Sequence, residues 1–154
     1  MIKPTVVKRS FSLGIGVLVA VIVTLAGQQK EKTDKLGMIQ QELKTDVPRV
    51  LCLDERFATG GQPTDDAYAK LSAAGFQSVL NLRTAGKGVD IEHERQLVEK
   101  CGMRYISIPV KSDAPRPEAV DEFFKAVKDD QNQPMLIHCA SANRVGAFWM
   151  IYRV

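Results

Sequence analysis

The chain is poor in the residue types that bind metal ions or form disulfide frameworks. Its 154 residues include three cysteines and two histidines, and no two cysteines stand in a CxxC spacing. Structural zinc sites need such ligands at short, regular spacings, so the sequence predicts no metal site. Cys52 lies in an apolar run and Cys101 at an expected helix end. Both are predicted to be buried structural residues, and a disulfide between them stays an open alternative.

A surplus of charge is lacking as well. The sequence has 21 Lys and Arg against 18 Asp and Glu, and the three extra basic residues, Lys3, Lys8 and Arg9, lie in residues 1–27, which contain no acid. The rest of the chain is therefore neutral. A nucleic-acid-binding domain needs a basic face, so nucleic acid is excluded as an expected partner.

The N-terminal segment follows an export pattern. Phe11–Ala26 contains no charged residue and follows the basic start of the chain, which is typical of a signal peptide or an uncleaved anchor. We therefore predict that residues 1–27 are one of these, with residues 11–26 as a transmembrane helix if they are retained. Either would place the remainder outside the cytoplasm, in the periplasm or anchored in the inner membrane.

Beyond this segment the composition changes twice. Residues 28–46 are polar and mixed in charge, which predicts a solvated tether. Residues 47–154 alternate between strand and helix patterns, which predicts an α/β domain with a mostly parallel sheet covered by helices on both faces. The predicted strands are Val50–Leu53, Phe76–Leu82, Arg104–Val110 and Met135–Cys139. The predicted helices are Asp65–Ala74, Ile91–Cys101, Pro117–Asp129 and Val145–Val154.

The last predicted strand delivers a cysteine into a loop of small residues. Cys139 stands at its carboxyl end, where sites form in parallel sheets, and Arg144 follows before the next helix. Backbone N–H groups, the positive end of that helix and the guanidinium would lower the pKa of the thiol. This predicts Cys139 as nucleophile and Arg144 as an oxyanion ligand. The predicted substrate-binding N–H groups between them belong to Ala140, Ser141, Ala142 and Asn143.

Two further residues follow predicted strands at the same sheet edge. Asp113 comes after Arg104–Val110 and is the candidate acid for a leaving group; the alternative is a turn or helix-capping residue. Arg83 comes after Phe76–Leu82 and is a candidate second basic group for substrate; the alternative is an exposed loop arginine.

The cysteine loop resembles that of the cysteine-dependent phosphatases, in the dual-specificity branch of the tyrosine phosphatase superfamily. Upstream segments resemble the phosphatase-like domain of bacterial beta-lactamase hydrolase-like proteins: Phe57–Pro63, Gly75–Arg83 and Gly102–Val110. The resemblance implies a dual-specificity phosphatase fold over Val50–Val154 and hydrolysis of a phosphorylated substrate without a cofactor. It implies a phosphocysteine on Cys139, phosphate binding by Arg144, and Asp113 acting as acid and then base.

The chain departs from the phosphatase family at three points, and these keep other functions open. Four residues separate Cys139 from Arg144, where the phosphatase signature has five, and this spacing resembles that of rhodanese sulfurtransferases. Val145 stands where a hydroxyl residue usually assists departure of the thiolate, which favours slow turnover or a non-catalytic oxyanion-binding domain. The chain ends at Val154, whereas the family continues through a further helix. Either the sequence is a fragment, or the domain lacks that helix and an exposed apolar face would favour a homodimer.

Overall fold

The computed structural model describes the backbone of residues 13–86 and 88–153, and side chains from residue 27 onward. The chain divides into two units, one ending at Lys35 and a compact one that begins at Leu36. The first helix, α1, spans Leu13–Leu43. It begins in the first unit and ends in the second.

The predicted transmembrane helix is wrong, together with the membrane classification that rested on it. Residues 1–12 of the predicted signal or anchor lie outside the described residues. In the part of the chain that the structure describes, no helix is long and apolar enough to cross a membrane. The uncharged run Phe11–Ala26 is short for this purpose: at about 1.5 Å per residue it falls below the roughly 30 Å of a hydrocarbon core, and α1 continues into charged residues from Lys30. The signal peptide and the export stay predictions.

The end of α1 packs into the compact unit. Leu43 and Val47 are fully buried in its core, and Asp46 pairs with Lys70 at 2.6 Å. The compact unit therefore begins earlier than the predicted boundary at residue 47. The segment predicted as a tether is helical up to Leu43.

A single five-stranded sheet forms the centre of the compact unit. Its strands are β1 (Leu51–Cys52), β2 (Phe57–Gly60), β3 (Ser78–Asn81), β4 (Arg104–Ser107) and β5 (Met135–His138). They lie in the order β1-β2-β5-β3-β4. β2, β5, β3 and β4 are parallel, and β1 is antiparallel to β2. This confirms the predicted α/β fold with a mostly parallel sheet, and β5 occupies its centre.

Both faces of the sheet are buried, as expected for parallel strands. The remaining helices are α2 (Ala67–Ala73), α3 (Ile91–Lys100), α4 (Pro117–Lys128) and α5 (Asn143–Arg153). One core joins α2 and α3 to Val79 and Leu136 of the sheet. The other joins α4 and α5 to Leu80 and Ile137, the next residues of the same strands. The alternation of side chains along each strand therefore divides the strand residues between the two layers.

Helix α3 is fixed at both ends, which sets the direction of its buried side chains. The Asp90 carboxylate accepts a hydrogen bond from the backbone N–H of His93 at 2.9 Å, which caps the helix. Gly102 follows its end with φ +78°, a left-handed conformation that ends helices and favours glycine. With the helix held in this way, the Glu94 side chain faces inward and is 5% exposed.

Candidate active site

Cys139 lies at the carboxyl end of the central strand. It is the first residue after β5 and is 1% exposed. Its backbone N–H donates to the Gly60 carbonyl at the end of β2 (3.4 Å), and the His138 carbonyl accepts from Leu82 at the end of β3 (2.9 Å). Both neighbouring strands therefore hold the cysteine in place.

Backbone N–H groups surround the sulfur. The N–H groups of Val145, Ser141 and Arg144 donate to the Cys139 thiol. Arg144 and Val145 belong to the first turn of α5, whose N–H groups have no partner within the helix. Burial raises the pKa of Cys139, but these three donors and the Arg144 charge outweigh burial and lower it below its ordinary value. The loop thus stabilises a thiolate.

A titration of the thiols should separate Cys139 from Cys52, because their pKa values shift in opposite directions. Burial raises the pKa of Cys52. The ultraviolet thiolate absorbance lost in Cys139→Ser should titrate with a midpoint below the value of about 8.5 for a free thiol. The absorbance lost in Cys52→Ser should titrate above it. A Cys139 midpoint at or above that of Cys52 would show that the N–H groups do not stabilise the thiolate.

The Arg144 side chain joins the catalytic loop to two strand ends. Its Nη1 donates to the carbonyls of Leu82 and Val110, both at 2.9 Å. These carbonyls lie beyond β3 and β4, so the guanidinium is held over the sheet edge next to Cys139. The Nε and Nη2 donors make none of the hydrogen bonds found among the described residues, which leaves them for an oxyanion.

The outer side of the loop is anchored by residues that the sequence did not single out. The Ala140 carbonyl accepts from the backbone N–H of Gln62 at 3.2 Å. Arg49 donates from Nη1 to the Ser141 carbonyl at 3.1 Å and to Asn143 Oδ1 at 3.4 Å. Of the four loop residues predicted to bind substrate, Ser141 turns its N–H to the sulfur. Ala140, Ser141 and Asn143 are also held from outside.

A buried carboxylate lies beneath the loop. Glu94 Oε1 is 3.1 Å from His138 Nε2, although neither ring nitrogen of His138 has the alignment of a hydrogen bond to any described residue. Tyr68 donates to Glu94 Oε1 at 2.5 Å and Tyr105 to Oε2 at 2.8 Å. Asn81, at the end of β3, also donates to Oε2. Glu94 therefore connects α2, α3, β3 and β4 to the residue that precedes Cys139.

These contacts keep Glu94 ionised. Burial raises the pKa of its carboxyl group, but the His138 imidazole, Tyr68 and Gln62 outweigh burial and lower the pKa to about 2. Burial and the Glu94 charge raise the pKa of Tyr68 and of Tyr105, so both phenols stay protonated as donors. The Glu94 carboxylate is thus a buried charge surrounded by hydrogen-bond donors.

Arg83 lies beside the site but is held by a neighbour. It is half-buried, and its Nη1 donates to Gln62 Oε1, while Gln62 Nε2 donates to Glu94 at 2.9 Å. Gln62, Arg83, Glu94 and His93 line part of a cleft of about 240 Å³. Because Gln62 also bonds the Ala140 carbonyl, this cleft adjoins the cysteine loop. The predicted alternative of an exposed loop arginine does not match this placement.

Asp113 is not joined to the cysteine loop. It is exposed on the bend between β4 and α4. Within residues 13–86 and 88–153, no hydrogen bond or ion pair connects it to another residue. Nor does the described part of the chain contain a cluster of three His, Cys, Asp or Glu side chains that could hold a metal ion.

Sequence reasoning missed three residues of the site: Arg49, Gln62 and Glu94. Gln62 carried a signal, because the preceding Gly60 and Gly61 indicate a close approach of two backbones. A Cβ at Gly61 would lie 3.1 Å from both the Ala140 and the Pro48 carbonyl oxygens. Arg49 and Glu94 carried none, since a loop arginine and a glutamate in the first turn of a helix usually face solvent.

Most of the chain matches a known family. Residues 30–154 match the family model described as a dual-specificity-type protein tyrosine phosphatase fused to NAD+ kinase. The beta-lactamase hydrolase-like protein of Xylella fastidiosa is 26% identical over 99 residues, which cover 62% of this chain and 23% of that protein. This chain thus aligns with about a quarter of the length of the curated relatives it matches.

Solved structures share the fold. A DUF442 protein from Shewanella putrefaciens superposes with a TM-score of 0.65 and 28% identity, covering 74% of this chain and 72% of that one. The core catalytic domain of the PP-IP phosphatase Siw14 of S. cerevisiae superposes with a TM-score of 0.62, covering 70% of this chain and 66% of that one. It is 15% identical, so this second likeness concerns the fold alone.

Proposed function

Because the chain belongs to the family of dual-specificity-type phosphatases fused to NAD+ kinase, we propose that it hydrolyses phosphomonoesters through a phosphocysteine intermediate. The observation that carries the proposal is the Cys139 thiol, whose pKa is lowered by three backbone N–H donors and the Arg144 charge. A nucleophilic thiolate and an oxyanion cradle are the two requirements of this reaction.

The first step transfers the phosphoryl group to sulfur. The Cys139 thiolate attacks phosphorus, an S–P bond forms and the bond from phosphorus to the ester oxygen breaks. The N–H groups of the loop and the free Arg144 donors stabilise the charge on the phosphoryl oxygens. In this proposal the leaving oxygen takes a proton from the Asp113 carboxyl group on the exposed bend that follows β4.

The second step returns the thiolate. Water attacks the phosphocysteine and gives a proton to the Asp113 carboxylate, the S–P bond breaks, and inorganic phosphate leaves. The side chain of Val145, which is 1% exposed, has no hydroxyl group to donate to the departing sulfur. We therefore expect this step to be slower than the first, so that the phosphocysteine accumulates.

Turnover of an aryl phosphate by the full chain tests the proposal. The expected result is phosphate release that tungstate, a phosphate analogue, inhibits competitively. Tungstate binding without turnover would instead favour a non-catalytic oxyanion-binding domain. Formation of thiocyanate from thiosulfate and cyanide, without phosphate release, would favour the sulfurtransferase that the four-residue spacing suggested. Either outcome would overturn the phosphatase proposal.

Asp113→Asn tests the role of the acid. For an ester with a poor leaving group, we expect kcat/KM, which reports the first step, to fall by about 10²–10⁴, because the leaving oxygen then departs without a proton. For a nitrophenyl ester the loss should be much smaller, since that anion leaves unaided. Asp121→Asn, at an exposed position on α4, is the matched control and should leave both rates unchanged. Equal losses for both esters in Asp113→Asn would assign the aspartate a role other than proton donor.

A further inference from the structure

Arg49 combines an unusual backbone with a contact to the cysteine loop. Its φ is +55°, a left-handed conformation that costs a bulky side chain free energy and persists where surrounding contacts impose it. Its guanidinium is exposed, yet Nη1 bonds both the Ser141 carbonyl and Asn143 Oδ1. A residue with a left-handed backbone thus reaches the loop, in which Ala142 also has a positive φ, of +68°.

The surrounding contacts explain why this backbone is held. The Gly61 N–H donates to the Pro48 carbonyl at 2.7 Å. A Cβ at Gly60 would lie 2.4 Å from the Val47 side chain, so this segment packs directly against residues 47–48. On its other side, Gly61 pairs with Ser141 in an isolated bridge. The chain before Arg49, the glycine pair and the cysteine loop therefore form three layers in contact.

Arg49 bonds the loop at Ser141 and Asn143, and the N–H groups of Ser141 and Arg144 donate to the sulfur. The Ser141 carbonyl shares its peptide plane with the Ala142 N–H, and in a trans peptide these two groups point in opposite directions. The bond that holds the carbonyl outward therefore turns the Ala142 N–H inward, towards a bound oxyanion. The preceding plane, which carries the Ser141 N–H, is held in the same way by the bond from the Gln62 N–H to the Ala140 carbonyl.

We propose that Arg49 is a positioning residue, which holds the cysteine loop from outside so that its N–H groups converge on the Cys139 thiolate and on a bound oxyanion. The proposal rests on the proposed function of that loop. It does not need turnover to be tested, because oxyanion affinity and the state of the thiol can both be measured in a chain that does not hydrolyse anything.

The test compares Arg49→Ala with Arg49→Gly. Both remove the guanidinium, whereas only glycine relieves the left-handed backbone, so the glycine variant should be the more stable of the two. We expect both to bind tungstate about tenfold more weakly, as for the loss of one hydrogen bond, and both to raise the midpoint of the Cys139 thiolate titration. Arg49→Lys, which keeps a donor, should recover part of each loss.

Arg56→Ala is the control, since Arg56 is an exposed arginine paired with Asp54 at 3.2 Å, and it should match the wild type in both measurements. Wild-type tungstate affinity and thiol titration in Arg49→Gly would overturn the proposal. So would losses in Arg49→Ala that vanish in Arg49→Gly, because they would then follow from backbone strain. Absence of phosphate release from the wild type would count against the phosphatase and leave these comparisons intact.

Discussion

Replacing Cys139 with serine is expected to reduce phosphate release by a factor on the order of 10³ or more, as for the loss of other catalytic nucleophiles. The three N–H donors and Arg144 lower the pKa of the thiol, but a serine hydroxyl in the same place remains protonated at neutral pH and is a weak nucleophile. The measurement is the steady-state rate on an aryl phosphate.

The same variant should keep its structure and its anion site. Sulfur and oxygen differ little in size, and the donors of the loop stay in place, so tungstate should bind to Cys139→Ser within a few-fold of the wild type. Cys101→Ser, at a half-buried position just beyond α3, is the matched control and should retain full activity. Equal rates for Cys139→Ser and Cys101→Ser would show that Cys139 is not the nucleophile.

Replacing Glu94 with glutamine should cause the largest loss of stability. The substitution removes the negative charge beside His138, which is fully buried. It also places an amide N–H either against the Tyr68 and Gln62 donors or against the Tyr105 and Asn81 donors. A buried donor left without its acceptor costs about 1–3 kcal/mol, and more where the acceptor is charged, so we expect a loss of about 3 kcal/mol in the free energy of unfolding from urea titration. The control is Glu99→Gln on the same helix, whose exposed contact with Arg95 is 3.9 Å long; it should cost less than about 1 kcal/mol.

The same carboxylate predicts how stability depends on pH. The pKa of Glu94 is about 2 in the folded chain, against 4.5 for an ordinary glutamate. A lowered pKa stabilises the folded state above the unfolded value, and that contribution is lost as the pH falls from about 4.5 towards 2. Glu94→Gln should flatten the stability profile in this window. An unchanged profile in the variant would mean that Glu94 does not hold its charge through the network.

Elements whose pattern is local could be predicted from the sequence. The order of strand, cysteine loop and helix at residues 135–153 is encoded by one apolar run, four small residues and an apolar helix, and the structure has the same order. Helix α3, predicted over Ile91–Cys101 and found at Ile91–Lys100, belongs to the same class. Each of these depends on residues within a turn or two of one another.

Elements that depend on contacts between distant residues could not be predicted from the sequence. β2 is missing from the predicted strands, and Thr59–Pro63 reads as a turn, because a short segment ending in two glycines lacks the strand pattern. It becomes a strand through its pairing with β1 and β5. Glu94 is buried because four other elements supply its partners, and Arg49 meets the loop across a sequence separation of more than 90 residues.

The most direct test of the phosphocysteine is the intact mass of the chain after mixing with an aryl phosphate and rapid quenching. Because Val145 leaves the departing sulfur without a hydroxyl donor, the account predicts a mass increase of one phosphoryl group on Cys139 in the wild type, and none in Cys139→Ser. A wild-type chain that releases phosphate without an adduct at any quench time, or an adduct that persists in Cys139→Ser, would contradict it.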